Sequence, residues 1–172
     1  MADETVTLSS AWRQAEHARD QALGCNAQAP DYQDIVTRAL NLYKRCSTLA
    51  DQLSLFSRNE DIEEVASRDL GFLQISHRLG ELTERSYGGD RKSTLILARS
   101  HYQAFLENLE LYHLLSKIET VLLDDFRAEP SSFSVSSSSD PAVRRQTKIA
   151  RFLTDKELKQ KLKVNLADSF IG

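Results

Sequence analysis

Apolar residues along this chain recur at intervals of three and four, the period of an amphipathic helix, and alternating β-branched runs are few. Trp12, Ala15, Ala18 and Ala22 share one side of a segment that can start at Ser9 or Ser10 as N-cap and stop before Gly24. Asp31, after Pro30, opens a longer helix. Its apolar stripe Ile35, Ala39, Leu42, Cys46, Leu49, Leu53 and Phe56 has the 4-3-4-3-4-3 spacing of antiparallel helix packing. Asn59 or Ser57 can cap a short helix through Glu60–Val65, with acids at the end the helix dipole prefers, and Ser67 can restart the chain. Phe72, Ile75, Leu79 and Leu82 mark the next helix, ended by a turn at Gly88-Gly89. Asp90 then caps a helix whose seam is Leu95, Ala98, Tyr102, Phe105, Leu109 and Tyr112, and Ser116 begins another through Ile118, Val121 and Leu122. The expectation is an all-α chain of antiparallel helical hairpins, about six to seven helices in all.

The pattern changes after residue 127. Residues 128–141 hold seven Ser and two Pro with little apolar content, the profile of a mobile linker. Residues 142–163 then read as a basic helix, with 164–172 as a tail, and the short linker lets that helix fold back onto a body formed by 1–127. Charge singles the helix out. The whole chain carries a formal -3, yet residues 141–163 hold eight Lys/Arg against two Asp/Glu, a local +6 that leaves -9 elsewhere. At about 100° per residue, Arg145, Lys148, Phe152, Lys156, Lys159 and Lys163 fall within about 80° of one another, a cationic stripe containing one aromatic. Ile149 and Leu153 point about 60° to 100° away and can pack inward, so the helix suits a body on one side and a partner on the other. A solvated charged face remains the alternative reading of these residues alone.

Composition narrows the class. At 41% hydrophobic and 27% charged, the 172 residues suit one soluble core-bearing domain plus a tail. There is no apolar run of membrane-spanning length, and Met1-Ala2-Asp3-Glu4 lacks the regions of a signal peptide, so the expected setting is cytoplasmic, with the nucleus also open. Cys25 and Cys46 lack zinc spacing and read as reduced packing residues. His17, His77, His101 and His113 form no His-Glu-x-x-His pattern and no metal site, and His113 reads as a polar group at a packing edge. Asp124 and Asp125 point about 100° apart on a helix and cannot readily share a proton or metal; they read as a solvent-facing helix end. Phosphate loops and nucleophile elbows are absent, so neither catalysis nor a cofactor is expected. Leu79-Gly80 matches a fragment of the tetratricopeptide signature, but no second copy follows. Phosphorylation between Ser131 and Ser139 would set negative charge beside Arg144-Arg145.

Three ordered blocks resemble a known family: Leu55-Phe56-Ser57-Arg58-Asn59-Glu60-Asp61-Ile62-Glu63-Glu64-Val65-Ala66-Ser67-Arg68-Asp69-Leu70, then Leu79-Gly80-Glu81-Leu82, then Arg145-Gln146-Thr147-Lys148-Ile149-Ala150-Arg151-Phe152 with Lys156-Glu157-Leu158. They are similar to the TAP-forty-two/alpha-four family, the type 2A phosphatase-associated proteins of the TOR pathway. The resemblance implies a tetratricopeptide-like or 14-3-3-like bundle that catalyses nothing itself. It implies a chain that binds the catalytic subunit of type 2A and 2A-like Ser/Thr protein phosphatases, stabilising or sequestering it as a chaperone-like regulator. The family's Arg-x-x-Lys binding pair matches Arg145 and Lys148; the helix face adds Arg144, Arg151, Lys156 and Lys159, and Phe152 an apolar contact. Members of the family usually continue beyond Lys159-Gln160-Lys161-Leu162 into a long C-terminal half, whereas this sequence ends at Gly172. Two readings from other classes stand beside this one. A nucleic-acid-binding helical protein would use the same cations on phosphates, although the acidic total argues against it. A self-associating coiled-coil adaptor would pair the 3-4 stripes between copies, whereas stripes satisfied within one bundle predict a monomer.

Overall fold

The structure is a computed structural model describing residues 7–57, 59–135 and 141–169, with the side chains of Val143, Thr147, Arg151 and 162–169 left aside. Met1–Glu4, Arg58, the serines from 136 to 139 and the last three residues therefore lie outside the described residues. So does that part of the phosphorylation segment. Among the described residues there are six α-helices and two 3-10 turns and no strand, the all-α hairpin arrangement expected. The chain forms two compact units, Met1–Lys117 and Ile118–Gly172.

In the first unit, α1 (Leu8–Gly24) and α2 (Tyr32–Gln52) form one hairpin, and α3 (Ile75–Arg85) and α4 (Arg91–Leu111) form another. Cross-contacts give the directions. Tyr43 meets Trp12 and Glu16 while Arg38 meets Gln21, so α2 runs antiparallel to α1. His77 meets Phe105 while Glu84 meets Tyr102 and Arg91, so α4 runs antiparallel to α3. Between hairpins the order is parallel: Trp12 touches Phe72, Glu16 pairs with Arg78, and Arg19 pairs with Glu81.

Small residues bring α1 close to its neighbours. Ala11, Ala15, Ala18 and Ala22 are buried at helical spacing, and the space they leave is filled by Tyr43, Trp12 and Phe72 in edge-to-face contact. A similar close approach joins α3 to α4. A Cβ on Gly80 would stand 2.9 Å from the Tyr102 ring, so the missing side chain lets that ring lie on the α3 backbone. On the other side of α3, Leu82 is fully buried in the core shared with α1 and α2, a burial that stabilises by about 1.5–3 kcal/mol.

Several boundaries and seams differ from expectation. The N-cap of α1 is Thr7, whose hydroxyl accepts from Ser10 N at 3.2 Å, two residues ahead of Ser9. The buried stripe of α2 is Tyr32, Val36, Ala39, Tyr43, Cys46 and Ala50; Ile35, Leu42 and Leu49 flank it half-buried, and Leu53 is exposed. The face is rotated because both tyrosines bury their rings, and Tyr43 places its hydroxyl on Glu16. The short helix expected through Glu60–Val65 is a 3-10 turn, Ile62–Glu64, capped by Asp61, whose N–H donates to Glu64 Oε2 at 3.0 Å. A second 3-10 turn, Leu70–Gln74, leads into α3. The α4 seam is buried only at Ala98 and at Tyr112, just past the helix end; Leu95 is exposed.

In the second unit, α5 (Lys117–Ala128) buries Leu123, while Ile118 and Val121 are exposed. The serine-rich segment begins as ordered chain, because Phe133 N donates to Glu129 O and its ring meets Phe126 edge-on at 5.4 Å. The last helix, α6 (Pro141–Ser169), continues through most of the expected tail, since neither Gly nor Pro interrupts it before Gly172.

Candidate partner-binding helix

α6 is helical for local reasons. Pro141 occupies the first position, where its missing N–H costs nothing. Further along, Asp155 pairs with Lys159 at 2.7 Å and Glu157 with Lys161 at 2.8 Å, both in the favourable acid-before-base order four residues apart. The Lys161 hydrogen bond holds the Glu157 carboxyl below its ordinary range. Thr154 turns its hydroxyl back onto Ala150 O.

Arg144, Arg145, Lys148, Phe152, Lys156 and Lys159 are all exposed on α6. The side chains of Arg151 and Lys163 lie outside the described residues. Arg144, Arg145, Lys148 and Lys156 have no acidic partner among the described residues, whereas Lys159 is held by Asp155. Phe152 is 66% exposed. Ile149 and Leu153, expected to pack inward, are exposed as well, an apolar strip about 60° to 100° around the helix from the centre of the cationic stripe. A shallow groove runs along the helix between Phe152, Asp155, Lys156, Lys159 and Gln160. A count of charges alone does not single out Asp155; its place among cations, three residues from Phe152 and four from Lys159, is the signal the sequence carries.

The other charged cluster is of a different kind. In the first unit, Arg19 Nε donates to Glu81 Oε2 at 2.7 Å and a second nitrogen to Glu81 Oε1 at 3.2 Å, a bidentate pair. Arg78 Nε lies 3.3 Å from Glu16 Oε1 without hydrogen-bond alignment, and Tyr43 donates its hydroxyl to the same carboxylate. Burial would raise the Glu81 carboxyl; the Arg19 hydrogen bond and the charges of Arg19 and Arg78 outweigh it and hold it low. Burial and the Glu16 contact push the Tyr43 hydroxyl up. Each acid has a partner, so the cluster links α1, α2 and α3 and offers no unpaired acid or base for chemistry.

No group of three or more His, Cys, Asp or Glu side chains among the described residues could hold a metal. Cys46 is buried, which pushes its thiol up to about 11, and Cys25 is half-buried; both are free. His113 is exposed past the end of α4 and does not sit at a packing edge. Asp124 and Asp125 face solvent but lie within α5, and Asp124 pairs with Arg127 at 3.3 Å. No helix among the described residues is long and apolar enough to cross a membrane.

Known proteins share this organisation of sequence. The chain is 28% identical over 160 residues to PP2A regulatory subunit TAP46 of Oryza sativa subsp. japonica, a match to 93% of this chain and 35% of that protein. It is 31% identical over 147 residues to the Arabidopsis thaliana protein of the same name, covering 86% of this chain and 34% of that one. Type 2A phosphatase-associated protein 42 of Saccharomyces cerevisiae is 26% identical over 155 residues, covering 78% and 42%. The chain thus spans between a third and a half of the length of these curated relatives. The model of the TAP42-like family matches residues 8–168, from the first turn of α1 almost to the end of α6, and the chain belongs to that family.

Proposed function

We propose that this chain is a non-catalytic regulatory module that docks the catalytic subunit of type 2A and 2A-like Ser/Thr protein phosphatases through α6, stabilising or sequestering it. The observation that carries this reading is the pair Arg145 and Lys148, exposed on α6 without an acidic partner among the described residues, with exposed Phe152 one turn beyond Lys148. Two cations one turn apart suit carboxylates on a partner, and an aromatic beside them suits a small apolar recess. The names of the rice, Arabidopsis and yeast relatives, which denote proteins that regulate or associate with type 2A phosphatase, supply the partner class. The same reading places the chain in the cytoplasm, as a monomer when unbound, within TOR signalling.

The test is co-expression with a type 2A catalytic subunit, comparing wild type with Arg145→Glu/Lys148→Asp at equal helicity. Capture by wild type and loss in the double variant is the expected result. Equal capture by both would move the docking site away from these two residues; capture by neither would overturn the function for this chain.

A further inference from the structure

The cationic face of α6 is not continuous. At about 100° per residue, Asp155 lies about 20° around the helix from Lys148, about 40° from Lys159 and about 60° from Phe152, at the edge of the stripe and midway between Lys148 and Arg144. Its carboxylate is exposed, borders the groove beside Phe152 and Lys156, and holds Lys159 at 2.7 Å. Glu157 is different: it and its partner Lys161 turn about 140° and about 180° from the centre of the stripe, where their charges balance off the face.

We propose that Asp155 is a selectivity residue, whose carboxylate among the cations disfavours a continuous polyanion such as a nucleic-acid backbone and favours a protein surface with separated carboxylates. A phosphate backbone presents negative charge at every step, so a helix lying along it must bring a phosphate toward Asp155 as well as toward Lys148 and Lys159. A protein surface can place its acids opposite Arg145, Lys148 and Lys156 and leave a neutral or donor group opposite Asp155. Repulsion against the wrong partner and tolerance of the right one then come from a single side chain. The part concerning the phosphatase rests on the function proposed above; the part concerning polyanions does not.

The experiment compares the intact chain with Asp155→Asn and Glu157→Gln, each removing one negative charge from a different side of the helix. Binding to a fluorescent DNA duplex of about 20 base pairs is titrated across salt, and capture of the type 2A catalytic subunit is measured in parallel. Asp155→Asn is expected to bind the duplex about 3- to 10-fold more tightly, with a salt slope steeper by about one, while Glu157→Gln changes affinity by less than about 2-fold. Phosphatase capture does not improve in proportion, so the preference for protein over nucleic acid falls. Asp155→Glu, which keeps the charge, retains wild-type behaviour and serves as the reference if circular dichroism shows altered helicity in Asp155→Asn. Equal effects of Asp155→Asn and Glu157→Gln, or no effect of Asp155→Asn on the duplex, would overturn the proposal. Failure of wild type to capture the phosphatase would remove the docking function while the duplex comparison still decides the role of Asp155.

Discussion

His77 is a good place to see one residue's environment set a bulk property. Its ring sits edge-on to Tyr102 and Phe105 at 5.5 and 5.2 Å. Burial there disfavours the imidazolium and Arg78 adds repulsion, which together outweigh Glu81 and lower the pKa below the ordinary 6.5. His101 is lowered in the same direction by burial and Lys44. An unfolded chain therefore binds protons on these histidines at a higher pH than the folded chain does. Their contribution is complete above 6.5 and is lost as pH falls below it. Glu81, held below its ordinary 4.5, acts lower down, contributing fully above 4.5 and losing its contribution as pH falls through the folded value. Stability should thus decline in two stages on acidification. Urea midpoints should drop between about pH 7.5 and about pH 5.5 in wild type and drop less in His77→Gln/His101→Gln, with a second fall below pH 4.5 retained in both. A wild-type midpoint unchanged across the first interval would rule out the histidine stage.

At the scale of elements, the two longest helices of the first unit end in the same way. α2 closes with Ser54 at φ 49°, where Ser54 N donates to Asp51 O and Leu55 N to Ala50 O; α4 closes with His113 at φ 54°, with the matching pair to Glu110 O and Leu109 O. This is the left-handed helix stop usually built on glycine, and a Cβ there is strained. Ser54→Gly should raise stability by about 1 kcal/mol, read as a higher urea midpoint with an unchanged slope. A lower midpoint would mean that the serine side chain has a role the backbone geometry does not reveal.

These stops also show where sequence legibility ended. Gly88, at φ 102°, and Asp90, whose carboxylate accepts from Ser93 N at 2.9 Å, announce their turn and cap through residue type. Ser54 and His113 occupy a position whose customary residue is absent, so nothing in their identity marks it. The α2 stripe was legible to within one residue of rotation, because apolar spacing locates the packed side but does not credit Tyr32 and Tyr43, whose rings bury deeply. On α6 the cations were visible from spacing and charge. The ion pair at Lys159 is invisible to a charge count, which adds residues where the structure pairs them.

For the whole molecule the governing quantity is the uneven distribution of charge, +6 within residues 141–163 and -9 over the remainder. A protein of this kind approaches an acidic partner favourably only when its basic segment leads, so the field selects orientation before contact forms. If α6 is the docking element, the association rate for the phosphatase should fall at least about 10-fold as ionic strength rises from about 0.1 M to about 1 M, where the Debye length shortens from about 10 Å to about 3 Å. Dissociation should change much less, since it reports contacts already desolvated. Arg145→Glu/Lys148→Asp should lower the low-salt rate and flatten this dependence. Stopped-flow or surface-based kinetics across salt would separate the two rates. An association rate independent of salt would show that apolar contact at Phe152, Ile149 and Leu153 dominates docking, and that the exposed cations contribute no more than an ordinary solvated helix face.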